Sequence, residues 1–408
     1  MSDSNNLIAS KQSIVLDLPP SCVEFCLSHP TYFVVGTYNL VKDEEPAGDS
    51  ENTNSSAKRP QNRNGSLALF QLTNGTIRHV QTVSHPSALL DLHFCPLSSN
   101  QDILAVVSST GTLSIFRLDP VADALEPLKH LATSRIPDVP DGVLFLSGVW
   151  GLNEIPSIAV TTSAGEVRIV RLDDSWQIIE DNSEAVIAHT LEAWTVAFSP
   201  NEEIGSRANA SQQTPFVVYS GGDDSTLRYT SCGYSSGEDS RDEVGVEALY
   251  PPLKIDGHGA GVTAILPISV KLADGSRLLV TGCYDDTIRV IAVQPPHETY
   301  GLRKFKSMGE KNLGGGVWRL KLIDVQKNDG RCRVRVLASC MHAGARVVAL
   351  EGPLDGEEWV VSVLARFEEH KSMNYGSDTV PGFEDGRLVC VSTSFYDKLL
   401  CLWEVELV

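Results

Sequence analysis

The feature that most constrains this chain is a repeat. An apolar strand, a small-residue turn and a second strand of alternating pattern recur along its 408 residues, with almost no long helical periodicity between them. The clearest copies are FVVYSGGDDSTLRYTS (216–231), LLVTGCYDDTIRVIAV (278–293) and LVCVSTSFYDKLLCLWEV (388–405). Weaker copies are YFVVGTYNL with GSLALFQL (32–40, 65–72), ILAVVSSTGTLSIFRLD (103–119), SIAVTTSAGEVRIVRLD (157–173) and VRVLASCMHAGARVVAL (334–350). That makes seven. A further apolar strand, such as AWTVAFSP or GVTAILPIS, precedes each copy.

The unit resembles the WD repeat, whose four strands make one propeller blade. Its signature is a histidine before the first strand, Ser or Thr on the second, Asp in the next turn and Trp on the third. The last copy carries all four as His370, Thr393, Asp397 and Trp403. The fifth keeps His258, Thr281 and Asp285 with Ile291 at the Trp position, and the fourth keeps His189, Ser220 and Asp224 with Thr230 there. The first three are degenerate. The resemblance implies an all-β, seven-bladed propeller in a single domain over 1–408. SIVLDLP (13–19) is a spare strand that completes the last blade, and closure removes sheet edges that would pair with other chains.

The expected blades run from about 22–84, 87–135, 141–187, 190–255, 259–309, 313–368 and 370–408, the last with strand 13–19. Their spacing exceeds the roughly 40–45 residues of a minimal unit, so loops carry insertions. The segments 41–64, 201–215 and 233–248 are rich in Ser, Asn, Asp, Glu and Gly and read as surface loops.

Composition narrows the partners. Net charge is −19, and the one short basic run, KRPQNR (58–63), lies in a polar loop. A face that binds nucleic acid through phosphates needs a basic stripe, so direct nucleic-acid binding is not expected. The nine cysteines form no CxxC pair and mostly sit in apolar runs, where a thiol packs as a small hydrophobe. No leader and no run near eighteen apolar residues is present, so the expectation is a reduced, cytoplasmic monomer without a membrane span. The ten histidines show no HxH or HExxH spacing, so neither a metal nor a cofactor is expected.

In a propeller, the loop entering each inner strand and the turn between second and third strands open on one face. The unusual residues fall at those positions. They are LEAW (191–194), HGAGV (258–262), LGGGVWRLK (313–321), CMHAG (340–344), HKSMNYGSDTV (370–380) and SFYD (394–397). HKSMNYGSDTV stands where an apolar inner strand is expected, and a strand facing a water-filled channel can be polar. GYSSG (233–237) matches a serine-hydrolase pattern, but that motif needs a strand-to-helix elbow and here it reads as a flexible loop on the opposite face.

LGGGVWRLK, CMHAG, HKSMNYGSD, YSGGDD and SFYDKLLCLW together resemble the diphthine methyl ester hydrolases, WD-repeat proteins also called diphthine methyltransferases. The resemblance is strongest over blades four to seven. It implies a role in diphthamide biosynthesis: hydrolysis of the methyl ester of methylated diphthine on a histidine of translation elongation factor two, giving diphthine and methanol. Ester hydrolysis needs a nucleophile or activated water, a base near neutral pKa and donors for the developing oxyanion.

The repeat pattern requires no histidine at His342, which makes it the preferred base. Ser372 is a candidate nucleophile, with base-activated water as the alternative. His370 is a further candidate, or the structural histidine of its blade. The substrate's trimethylammonium would suit the faces of Trp194, Trp318 and Tyr375, with Glu192 or Asp378 adding attraction. Arg319 could contact the oxyanion, anchor a substrate carboxylate or pair with a neighbouring acid. Thr393, Asp397 and Trp403 are expected to serve the blade network. The competing readings are a non-catalytic scaffold and a reader of methylated side chains.

Overall fold

A computed structural model describes residues 7–40, 63–152, 156–179, 184–199, 215–236, 244–297, 302–356, 358–382 and 386–407. Among these the chain forms seven sheets, antiparallel except for one two-residue edge strand, and no helix is long and apolar enough to cross a membrane. The polar insertions at 41–62 and 201–214 lie outside the described residues.

Each sheet is built outward from an inner strand. The seven inner strands are Pro20–Phe25, Leu89–Phe94, Phe145–Trp150, Ala193–Phe198, Val262–Lys271, Arg319–Asn328 and Ser377–Thr379. Neighbouring sheets pack face to face through apolar side chains, one core to each interface. Met308 and Trp359 pack between blades five and six, and Phe25, Phe33 and Phe70 meet Leu400 and Leu402 between blades seven and one. All nine cysteines are buried and form no disulfide. The seven-bladed propeller expected from the repeat is the fold.

Ring closure is made by the N-terminus. Ser10–Val15 pairs antiparallel with Leu399–Glu406 as the outer strand of blade seven, and Leu7–Ile8 lies parallel to Val360–Phe367 of blade six. The closing strand therefore occupies 10–15 rather than 13–19. The apolar residues of SIVLDLP suggested the later start, but Leu16 already leaves the sheet, donating its N–H to Lys398 O at 2.8 Å before the chain enters blade one.

The blade signatures form hydrogen-bonded networks. In blade four, His189 Nε2 lies 3.0 Å from Ser220 Oγ and Nδ1 lies 2.9 Å from Asp224 Oδ1. In blade seven, His370 Nε2 lies 2.8 Å from Ser392 Oγ, which accepts the Trp403 indole N–H at 2.9 Å. Ser392, not Thr393, is thus the signature hydroxyl. The hairpin explains the shift: Ser220 faces Arg228 across its hairpin, whereas Ser392 faces Cys401, so the blade-seven turn is one residue longer. Counting back from Asp397 at the usual interval lands on Thr393, whose hydroxyl donates to Gly376 O at 3.1 Å.

GYSSG is also not a loop. Its first four residues continue the strand Leu227–Ser236, which pairs with Val244–Ala248, at the end of blade four away from the turn at 223–226. Residues 237–243 are outside the described residues.

Trp403 is fully buried and stacks on Phe367 with centroids 5.2 Å apart. Trp403→Phe, which removes the bond to Ser392, is expected to cost about 1 kcal/mol. Trp403→Ala is expected to cost about 3–5 kcal/mol. Urea unfolding of both variants against the parent chain checks the order and the gap.

Candidate active site

Arg319 pairs with Ser339 across blade six, so the segment before 319 and the turn after 339 leave the sheet at the same end. The same holds for Ala193 and Gly222 in blade four. One mouth therefore collects all the loops singled out above. The approach is tight in blade six. A Cβ on Gly315 would lie 2.3 Å from Cys340 O, and one on Gly316 would lie 2.6 Å from Met341 Sδ. LGGG is thus a close backbone passage beneath CMHAG.

HKSMNYGSDTV is mostly not a strand. Only Ser377–Thr379 pairs in the sheet; the preceding residues cross the mouth irregularly, bridged to blade six by the Asn374 N–H donating to Met341 O at 3.0 Å. Asn374 is fully buried. Its amide donates to Gly376 O and Thr393 O at 3.0 and 2.8 Å, and its oxygen accepts from Ser377 Oγ at 3.1 Å. These polar groups satisfy backbone that an irregular entry leaves unpaired, rather than facing a water-filled channel.

Around the mouth the aromatic residues form a continuous belt. Ring centroids lie 5.5 Å apart for Trp194 and Trp318, 5.8 Å for Tyr284 and Trp318, 5.1 Å for Trp318 and Tyr375, and 5.5 Å for Tyr375 and Phe395. The belt brings together Trp194, Trp318 and Tyr375 as expected from sequence. It adds Tyr284 and Phe395, which sit in the turns of YDD and SFYD. Asp223 accepts the Trp194 indole N–H at 3.1 Å, and the charges of Asp223 and Glu192 both act on Tyr284, so two acids border one end. Burial, with Asp223 next, pushes the Tyr284 phenol well above its ordinary value; burial also raises Tyr375. Both phenols stay protonated and available as donors.

The reactive candidates do not form one triad. His342 is exposed at the tip of the blade-six turn. Ser372 Oγ donates to Asp397 Oδ1 at 2.8 Å, lies 3.0 Å from Ser394 Oγ and accepts the Tyr396 N–H at 2.8 Å. Its partner is a carboxylate, not an imidazole. His370 is buried on Ser392, and burial pushes its pKa down to about 4 against the opposing pull of Asp397 and Glu369. It is the neutral histidine of its blade network.

Asp378 is not on the rim. It is buried in the channel wall, accepting the Phe25 and Thr379 N–H groups at 2.8 Å each and pairing with Lys321 at 3.3 Å. It belongs to a charged network in which Arg319 has the neighbouring acid that one reading of it expects, and which draws in Glu24, Asp91, His93 and Lys321, residues the sequence does not single out. Lys321 Nζ donates to Glu24 Oε1 at 2.8 Å. His93 lies 3.2 Å from Glu24 Oε2 and 3.4 Å from Asp91 Oδ1. Arg319 lies 3.4 Å from Asp91 Oδ2, which also accepts Ser147 Oγ at 2.7 Å. The contacts join blades one, two, three, six and seven, so they cross the channel. Burial alone would raise Glu24, but Lys321 and His93 outweigh it and hold the carboxyl down at about 2. Burial alone would lower His93, but Asp91 and Glu24 outweigh it and lift the imidazole to about 10. The signal for this network was present: LDLHF, VEF and WRLKL each place charge on inner-strand positions, and Asp91/His93 and Arg319/Lys321 alternate on one strand face.

Fold and site together define a WD-repeat propeller with one elaborated mouth. The WD domain, G-beta repeat family matches residues 250–291. Over 397 residues the chain is 29% identical to the diphthine methyltransferase of Schizosaccharomyces pombe, spanning 97% of this chain and 98% of that protein. It is 25% identical over 417 residues to the diphthine methyltransferase homolog of Dictyostelium discoideum, with 96% and 98% covered. For the Homo sapiens diphthine methyltransferase the identity is 26% over 393 residues, with 90% and 74% covered. The chain has the WD-repeat propeller fold and is similar along nearly its whole length to the diphthine methyltransferases, and this bears out the resemblance read from its motifs.

The channel network sets a pH dependence. His93 is about 10 in the fold against an ordinary 6.5, so its stabilisation is complete below about pH 6.5 and lost as pH rises through 10. The stability gap between the parent chain and His93→Gln is therefore expected to narrow steadily from pH 6.5 to 10. Urea midpoints of both across that range check it; a constant gap would mean His93 is not charged there.

Proposed function

We propose that this chain hydrolyses the methyl ester of methylated diphthine on translation elongation factor two, yielding diphthine and methanol in diphthamide biosynthesis. The observation that carries this reading is the aromatic belt with Asp223 and Glu192 at its end. A quaternary ammonium keeps no N–H to donate, so recognition must come from ring faces and nearby negative charge, worth about 0.5–1 kcal/mol per exposed ring and more when desolvated. The relatives named for diphthine support the same substrate. The modified side chain enters the mouth, and the rim loops meet the protein that carries it.

In the proposed reaction, a water oxygen bonds to the carbonyl carbon, the bond to the methoxy oxygen breaks, and methanol leaves after taking up a proton. His342 is the group we assign to deprotonate the water, since its imidazole is exposed on the rim, whereas His370 is buried and neutral. Ser372 is committed to Asp397 and to the Tyr396 N–H, which favours water over a serine nucleophile. Tyr375 and Tyr284, held protonated, can donate to the ester.

The test measures methanol release, and mass loss, from purified elongation factor two bearing methylated diphthine. A parallel reaction follows methyl uptake from S-adenosylmethionine onto the unmethylated form. Release by the parent chain is expected, with kcat lowered about 10²-fold or more in His342→Ala and KM raised in Trp318→Ala. Ser372→Ala, if folded, is expected to retain most turnover. Methyl uptake without methanol release would replace hydrolysis by transfer, and binding with neither would favour a reader.

A further inference from the structure

The proposed base, His342, is exposed on a turn, and something must hold it still for catalysis. Gly221 pairs with Leu227 in blade four, Gly282 with Ile288 in blade five and Ser339 with Ala345 in blade six, so each pair encloses five residues. The middle residue is Asp224, Asp285 and His342 in turn. Blade six therefore carries a histidine where its neighbours carry the turn aspartate of the repeat.

The work of that aspartate has moved elsewhere. Asp224 and Asp285 accept the N–H groups of Thr190 and Gly259, in the loops entering their blades, at 3.1 and 2.9 Å. In blade six, Asn312 Oδ1 accepts the Gly314 N–H at 2.9 Å. Leu313, packed in the core, stands where HGAGV has His258. His342 thus has no part in a blade network. The side chains of Asp224 and Asp285 are 5% and 19% exposed, whereas His342 is exposed.

The backbone accounts for the difference. Blades four and five place their left-handed residue fourth in the turn, Ser225 at a φ of 59° and Asp286 at 63°. Blade six instead has Met341, second in the turn, at 43° and Gly344, fifth, at 77°. A bulky side chain rarely adopts that conformation, and it persists only where the surroundings impose it. Met341 O accepts the Gly344 N–H at 3.1 Å from within the turn and the Asn374 N–H at 3.0 Å from blade seven. A Cβ on Gly316 would lie 2.6 Å from Met341 Sδ and 3.4 Å from Tyr284 Cδ1, so the thioether lies beside the belt. Asn374 is itself held fast, its fully buried amide bonded to Gly376 O, Thr393 O and Ser377 Oγ. The next residue is Tyr375, whose ring meets Trp318.

We infer that Asn374 and Met341 are positioning residues that fix His342 relative to the aromatic belt. One buried amide ties the turn bearing the base and the ring of Tyr375 to the same stretch of backbone, so base and belt keep one register. The left-handed Met341 directs His342 away from the network that holds Asp224 and Asp285. This rests on the proposed reading of His342 as the base. Placement of this kind acts on the chemical step, because an error of about 1 Å at the reacting atoms costs about 10²-fold in rate.

The test applies the methanol-release assay to Met341→Gly and Asn374→Ala, with melting temperatures recorded. Glycine takes the left-handed backbone without strain and gives up the packed thioether. Met341→Gly is therefore expected to melt close to the parent chain, with kcat lowered about tenfold or more and KM within about twofold. The shape of its pH profile is expected to match the parent's, since the base is the same group less well placed. Asn374→Ala is expected to lower kcat and also raise KM, because Tyr375 moves with it; if that variant does not fold, Met341→Gly decides. Parental kcat in folded Met341→Gly overturns the positioning role and leaves hydrolysis standing. Full turnover by His342→Ala overturns the base and the positioning role together. No methanol release by the parent chain overturns the proposed function itself.

Discussion

The structure depends on a ring that must close, and charge crosses its centre. Lys321 of blade six reaches Glu24 of blade one and Asp378 of blade seven; Arg319 of blade six reaches Asp91 of blade two. The N-terminal strand joins the same region from outside, pairing with blade seven and running beside blade six. Ring closure is thus fastened at the rim by a ladder and at the axis by ion pairs. Removing one partner of such a pair leaves an uncompensated buried charge, which is far more damaging than losing a surface bridge.

The same blades show how a repeat signature is diverted. In blade four, Asp224 serves His189 directly. In blade seven, Asp397 accepts from the Ser372 and Ser394 hydroxyls and from the Lys371 N–H, while His370 Nδ1 has no hydrogen-bond partner among the described residues. The longer hairpin moves the aspartate off the histidine and onto the loop that crosses the mouth. A residue type that fixes a blade elsewhere here fixes HKSMNYGSDTV, and with it Tyr375 against Trp318. Fold and site share one network at this point.

This is also why the sequence was legible in some places and not in others. Strand alternation and the turn aspartates are local, so seven blades could be read along the chain. Trp194, Trp318 and Tyr375 could be brought together because loop position in a propeller sets which face a residue meets. The spacing to Asp397 points to Thr393, and only the hairpin register shows the extra residue that makes Ser392 the partner of His370. Asp378 read as a rim acid because strand and loop look alike in GSDTV. The channel network is the least legible part: Glu24, Asp91, His93 and Lys321 lie up to 297 residues apart in sequence. Each looks like an ordinary charged residue until the inner strands are placed around one axis.

The geometry of the belt bears on what kind of substrate it can serve. Its rings touch one another at 5.1–5.8 Å along its centre. That spacing leaves no room for a cation between them, so the proposed ammonium would lie over the belt with one side still toward water. Contacts of that exposed kind contribute on the order of 0.5–1 kcal/mol each, too little to hold a small free molecule tightly against the entropy of association. A side chain fixed to a large protein differs, because contacts made around it by the rim loops can supply the affinity and leave the mouth to orient the reacting group. Rings in mutual contact at the mouth therefore favour a head group presented on another protein.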